Sequence, residues 1–339
     1  MLNIAIDAMG GDLGPRVAFR ACKAYLKNES NIRLILPLED EYHPLAKKKL
    51  ARFADRVEII GCTSHVKMHD SLRTALREHS DSSMMTALQL HKSGDANGVL
   101  SIGNTAALLM MSKRVLGTLN GIERPSLATQ LPTKDKPLLM MDLGANICVN
   151  SEQLLQLAYL AVAWYRAGGV ENPALSLLNI GSEPGKGPDT IKAAGELLTH
   201  RLEGLYAGFV EGDRLFDGHL DAVICDGYSG NIALKTTEGL IEWLLDMMSA
   251  ELRHSKALWW FLPFWKATMR RIDRQMSPAR HGGAMLLGVS GHVAKTHGKS
   301  DERTFRYALE YLVRQVRERD YRELESEYNR LTADFTDEL

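Results

Sequence analysis

Five times along the 339 residues, a short apolar run ends in a Gly-, Asn- or Asp-rich turn and passes into helix-forming sequence. Residues 3–6 lead into Asp7-Ala8-Met9-Gly10-Gly11-Asp12, and 98–102 into Gly103-Asn104-Thr105. Residues 137–141 lead into Asp142-Leu143-Gly144-Ala145-Asn146, and 175–180 into the glycine loop holding Lys186. Residues 222–225 lead into Asp226-Gly227-Tyr228-Ser229-Gly230-Asn231. The runs are apolar throughout rather than alternating, which predicts strands buried on both faces, in a parallel sheet covered by helices. The expected architecture is one large α/β unit over 1–339, a three-layer α/β/α arrangement with a mostly parallel sheet.

In such sheets ligands bind at the carboxyl ends of the strands, beside helix N-termini whose free N–H groups favour anions. The five turns therefore supply the candidate site. They contribute Asp7, Gly10, Gly11, Asp12, Asn104, Thr105, Asn146, Lys186, Asp226, Ser229, Gly230 and Asn231. Strand-to-helix turns use Gly and Asn for their backbone angles anyway, so no single loop identifies a site. All five converging at one edge would point to phosphate or oxyanion handling.

Composition excludes several classes. With 41 Lys+Arg against 42 Asp+Glu, the net charge of −1 is not that of a general nucleic-acid binder. The four cysteines have no C-x-x-C spacing and read as buried, reduced thiols, and no zinc or other metal motif is present. No G-x-G-x-x-G follows the first strand. The 181–187 loop has three residues between its glycines where a P-loop has four, and Gly187 replaces the magnesium-binding hydroxyl. There is no G-x-S-x-G elbow, and the scattered histidines read as structural. No cofactor is expected. The beginning lacks the basic start and apolar stretch of a signal peptide, and no run reaches the ~20 apolar residues of a membrane span. A cytoplasmic chain that at most rests on a membrane is expected.

Charge placement is uneven. Residues 253–274 hold Trp259, Trp260, Phe264 and Trp265 among six cations and one carboxylate, a local net charge of +5. Aromatic rings flanked by cations suit peripheral contact with an anionic membrane; a buried core helix or a dimer contact is the alternative. Over 301–317, Phe305, Leu309, Leu312, Val313 and Val316 fall at helical spacing and predict a packing helix, with a looser charged tail beyond Arg317.

Taken together and in order, several segments resemble the bacterial phosphate acyltransferases of the PlsX family. They are Asp7 to Asp12, Gly103-Asn104-Thr105, Gly121 to Pro125, Asp142 to Asn146, Leu178 to Gly181, Cys225 to Gly227, Ser229 to Asn231, Gly282 to Ala284, Leu286 to Gly288 and His297-Gly298. The chain departs from the usual pattern at Leu36 to Asp40, Leu72, Met85 and Ile147-Cys148. The resemblance implies a fold similar to isopropylmalate dehydrogenases and phosphotransacetylases. It also implies transfer of an acyl group from acyl carrier protein to inorganic phosphate early in phospholipid synthesis. A homodimer, peripheral membrane association and a downstream glycerol-3-phosphate acyltransferase are further implications.

Such a reaction needs a positioned phosphate and donors for a thioester oxyanion rather than a covalent intermediate. Backbone N–H groups around Gly10-Gly11 and Gly230-Asn231, with the Asn104 and Asn146 amides, are the expected donors, Lys186 the expected phosphate cation, and Asp12 and Asp226 orienting groups. Three rivals stay open: a soluble phosphotransacetylase using coenzyme A thioesters, a non-catalytic membrane-associated acyl-chain binding protein, and, more weakly, a nicotinamide-dependent dehydrogenase.

Overall fold

The computed structural model describes residues 1–254 and 283–336. The first part of the chain runs β1 (Leu2–Asp7), α1 (Pro15–Leu26), β2 (Ile32–Glu39), α2 (His43–Leu50), β3 (Val57–Cys62), α3 (Leu72–Glu78), α4 (Ser83–Lys92), β4 (Gly98–Ser101) and α5 (Thr105–Leu116). There follow β5 (Ser126–Leu131), β6 (Leu138–Met141), α6 (Ser151–Arg166), β7 (Leu175–Leu178), α7 (Asp189–Arg201), β8 (Tyr206–Val210), β9 (Ala222–Ile224) and α8 (Gly227–His254). The chain closes with β10 (Gly283–Leu287), β11 (Val293–Thr296), α9 (Glu302–Glu318) and α10 (Tyr321–Thr336).

All 11 strands join one sheet, in the order β3-β2-β1-β4-β11-β10-β5-β6-β9-β7-β8. Successive residues on a strand serve opposite layers, which is why the runs are apolar throughout. In β1, Ile4 and Ile6 enter one core and Ala5 the other. In β6, Leu139 and Met141 face the first core, Leu138 and Met140 the second. Helices α1, α2, α6, α7, α9 and α10 pack on the first face, and α4, α5 and α8 on the second. The three-layer, mostly parallel arrangement is the one expected.

The direction of the strands corrects one expectation. Strands β3, β2, β1, β4 and β11 are mutually parallel, as are β6, β9, β7 and β8. Between these groups the pairs β11–β10, β10–β5 and β5–β6 are antiparallel. Three reversals turn the second group over. The loops after β1 and β4 therefore lie at one edge, here the upper, and those after β6, β7 and β9 at the opposite, lower edge. Strands read singly from sequence carry no information about relative direction, so the five turns were wrongly placed together.

Two smaller expectations also change. Cys22, Cys62 and Cys225 are buried free thiols, but Cys148 is exposed. The charged tail is not loose: beyond Arg317 it forms α10, whose Leu324 and Tyr328 bury in the first core. Helix α9 buries Phe305, Leu309, Leu312 and Val313, with Val316 half-buried. Trp259, Trp260, Phe264 and Trp265 lie outside the described residues.

Candidate active site

The upper edge is built by close backbone packing. A Cβ on Gly10 would lie 2.7 Å from Gly103 Cα and 2.9 Å from Val66 O, so only glycine lets these loops meet. The Asp12 N–H donates to Gly298 O at 2.9 Å, bringing in the turn after β11. Beneath them Asp7 is buried, with Oδ1 accepting from Ser83 Oγ and Oδ2 from Ser101 Oγ, each at 2.6 Å. Burial raises the Asp7 pKa, while the two hydroxyls and His65 oppose the shift.

Asn104 caps α5 by accepting from Ala107 N–H at 3.1 Å. Its amide donates to Met68 O at 2.8 Å and Asp70 O at 3.3 Å. Both amide protons are thereby engaged, so Asn104 holds the 68–70 turn instead of offering the expected oxyanion donor. Thr105 follows at the first position of α5 and is half-buried.

The lower edge centres on Asp142. Its carboxylate accepts from the N–H groups of Leu127, Gly144, Ala145 and Asn146 at 3.3, 3.1, 2.9 and 2.8 Å, and from Asn146 Nδ2 at 2.7 Å. Asn146 spends its other amide proton on Pro125 O at 3.0 Å. It too belongs to the framework rather than to an oxyanion hole. Asp226 caps α8 through Ser229 N–H and Oγ, both at 2.8 Å. A Cβ on Gly230 would overlap Asp142 O, so α8 begins hard against the Asp142 loop. Asn231 is exposed, beside Gly144. Lys186 is exposed on its glycine loop, where its N–H donates to Glu183 O at 3.1 Å.

Helix α8 links the two edges. Lys235, two turns and about 12 Å from its start, acts electrostatically on Lys295 at the end of β11 and on His297 just beyond. Burial lowers the His297 pKa, Lys235 and Lys295 lower it further, and Glu238 and Asp12 oppose them. Asn231 lies one turn before Lys235 on the same helical face. Asp12, Lys235, Glu238, Lys295 and His297 therefore lie within electrostatic reach of one another, with Asn231 one helical turn before Lys235.

Gly10, Gly11, Asp12 and Thr105 sit on the upper rim; Asp226, Ser229, Gly230 and Asn231 start the helix that crosses to it. Lys186 stays at the lower edge, away from that gathering. Lys235, Glu238 and Lys295 were not singled out from sequence, and His297, part of the family resemblance, was given no role in the site. The one available signal was a lysine inside the short, otherwise uncharged run 293–296.

The fold is an α/β/α arrangement of the phosphotransacetylase architecture. It aligns with the phosphotransacetylase EutD of Staphylococcus aureus at a TM-score of 0.61 and 13% identity, covering 94% of each chain. A phosphotransacetylase of Streptococcus pyogenes aligns at 0.60 and 19% identity, covering 93% of this chain and 94% of that one. The profile described as "Fatty acid synthesis protein" matches residues 2–320. A phosphate acyltransferase of Cellvibrio japonicus is 40% identical over 319 residues, covering 94% of this chain and 95% of its own. The chain belongs to the phosphate acyltransferase (PlsX) family of enzymes.

Proposed function

We propose that the protein transfers the acyl group of an acyl-acyl-carrier-protein thioester to inorganic phosphate, giving acyl phosphate and free carrier protein. Full-length kinship with a phosphate acyltransferase carries this reading. A phosphate oxygen attacks the thioester carbonyl, a C–O bond forms, the C–S bond breaks, and the proton of hydrogen phosphate ends on the carrier thiol. That thiol's reference pKa of about 8.5 makes a strong general acid unnecessary. Backbone N–H groups around Gly10 and Gly11, with Thr105 at the start of α5, supply oriented donors without lysines. Asn231, exposed on α8, is the remaining side-chain amide for the oxyanion. Asp12 and Asp226 orient donors.

The same reading places the protein in the cytoplasm, early in phospholipid synthesis, with its acyl phosphate passing to a glycerol-3-phosphate acyltransferase. No helix among the described residues is long and apolar enough to cross a membrane. The aromatic-basic segment 253–274 supports peripheral attachment to anionic lipid. Exposed Leu240, Trp243 and Met247 at helical spacing on α8 support a homodimer.

The test is acyl phosphate formation, trapped as the hydroxamate, from acyl carrier protein thioester and from the matched coenzyme A thioester. Product from the carrier with at least tenfold preference is expected. Preference for coenzyme A makes the enzyme a phosphotransacetylase instead, and no product from either leaves a non-catalytic acyl-binding protein.

A further inference from the structure

We propose that Lys295 is the residue that binds inorganic phosphate at the upper edge, an assignment that rests on the acyl-transfer reading above. Lys295 is 9% exposed on β11, in register with Ser101, which is itself in register with Asp7. The three residues form a row across neighbouring strands on the second face of the sheet, where Ser83 of α4 reaches Asp7. Asp7 does not neutralise the lysine: each of its oxygens already takes a serine hydroxyl, and it lies two strand spacings away, about 10 Å.

A buried ammonium is expensive unless it is paired and its three protons find acceptors. Among the described residues Lys295 makes one hydrogen bond, to Thr296 O at 2.9 Å, and no ion pair. The nearby carboxylate of Glu238 is taken by Lys235, at 2.6 Å. Among the described residues, the one charge that acts on Lys295 is the cation Lys235 on α8; Asp12 and Glu238 act on His297 two residues on, and the start of α5, with Thr105 its first helical residue, follows the adjoining strand β4. A helix N-terminus, a buried ammonium with two unused donor positions and a glycine-lined loop together describe a site completed by a small dianion. Burial, with Lys235, lowers the Lys295 pKa to about 8, and a bound anion would raise it again. Neither Lys235 nor Lys186 offers this arrangement, since Lys235 is exposed and already paired and Lys186 is exposed at the opposite edge.

The decisive comparison is between wild type and Lys295→Met, with Lys295→Gln in reserve should the first not fold. Two readouts are taken: the shift in melting temperature on titrating inorganic phosphate at constant ionic strength, and steady-state kinetics with each substrate varied. Wild type should be stabilised by phosphate and the variant not. The phosphate KM should rise about tenfold, and at least threefold, while the KM for the acyl carrier stays within twofold. A smaller rise in phosphate KM, or a rise in the carrier KM instead, overturns the proposal; the latter would assign Lys295 to the phosphodiester of the carrier's pantetheine arm. If neither protein forms acyl phosphate, the titration decides alone. Lys295-dependent stabilisation by phosphate would then overturn only the catalytic reading, whereas equal shifts, or none in wild type, overturn the assignment of Lys295.

Discussion

Ser101 Oγ donates to Asp7 Oδ2 at 2.6 Å across β4 and β1 while accepting from Gly103 N–H at 3.0 Å. One hydroxyl thus solvates a buried carboxylate and ties down the glycine turn that carries Asn104. Ser101→Ala removes both bonds, and leaving buried groups without partners is expected to cost about 2–3 kcal/mol. The loss should depend on pH. Burial sets the Asp7 pKa above its ordinary 3.8, so stability linked to this group is full below that value and declines as pH rises through the folded value. Deleting a hydroxyl that lowers the pKa widens the gap. Urea denaturation should therefore show a larger deficit at pH 7.5 than at 4.5, and equal deficits would contradict the role given to Ser101.

Gly10 sits between two backbones, so Gly10→Ala has no flexible neighbour to push aside: its Cβ would lie 2.7 Å from Gly103 Cα and 2.9 Å from Val66 O. Overpacking against main chain costs about 1–3 kcal/mol and shifts the loop bearing Gly11 and Asp12. A fall in melting temperature together with a phosphate KM raised at least fivefold is expected. Gly14→Ala makes a useful contrast. There the difficulty is a positive φ of 67°, and no atom lies within 4 Å of the added Cβ. That variant should lose stability without the same loss of phosphate affinity.

The layers were legible in the sequence because continuous apolar runs such as 138–141 can only be strands with both faces covered. The rims were legible too, since turns such as Gly10-Gly11 and Ser229-Gly230-Asn231 follow those runs directly. What was not legible was direction: nothing local to β6 says that it runs antiparallel to β5, and that reversal sends the Asp142 loop to the far edge. Side-chain commitment was equally hidden. Asn104 and Asn146 look like free amides in sequence, and only folding brings Met68, Asp70 and Pro125 to their protons. Lys295 escaped notice because a lone lysine at a strand end usually reaches solvent; here it is buried.

The aromatic-basic segment 253–274 is suited to a lipid interface by its sequence. Its apolar rings would enter the lipid interface while Arg253, Lys256, Lys266, Arg270, Arg271 and Arg274 meet anionic headgroups. Replacing Trp259, Trp260, Phe264 and Trp265 by Ser should abolish sedimentation with anionic liposomes and leave the circular dichroism spectrum unchanged. Raising salt from 0.1 to 0.5 M, roughly halving the Debye length, should weaken but not abolish wild-type sedimentation. Undiminished sedimentation of a folded variant would assign the segment to the core or to a dimer contact.

Acid sensitivity should arise at the foot of β11, away from the upper edge. The His292 N–H donates to His91 Nε2 at 2.9 Å, and the other ring nitrogen of His91 lies 2.8 Å from Ala96 O, which fixes His91 as the Nδ1–H tautomer. Burial lowers both pKa values; that of His292 falls to about 4, with His91 adding to the shift. A histidine held neutral in this way contributes stability in full above its unfolded value of about 6.5 and loses it as pH falls toward 4, about 3 kcal/mol in all for His292. The ring packs edge-on against Tyr321, with centroids 6.1 Å apart, an arrangement a phenyl ring can reproduce. His292→Phe gives up the ring's hydrogen bond to the Arg319 backbone, so it should be about 1–2 kcal/mol less stable than wild type at pH 7.5 but lose less stability than wild type between pH 7.5 and 4.5 in urea denaturation. If both proteins lose the same stability between these pH values, protonation of His292 is not what loosens the fold in acid.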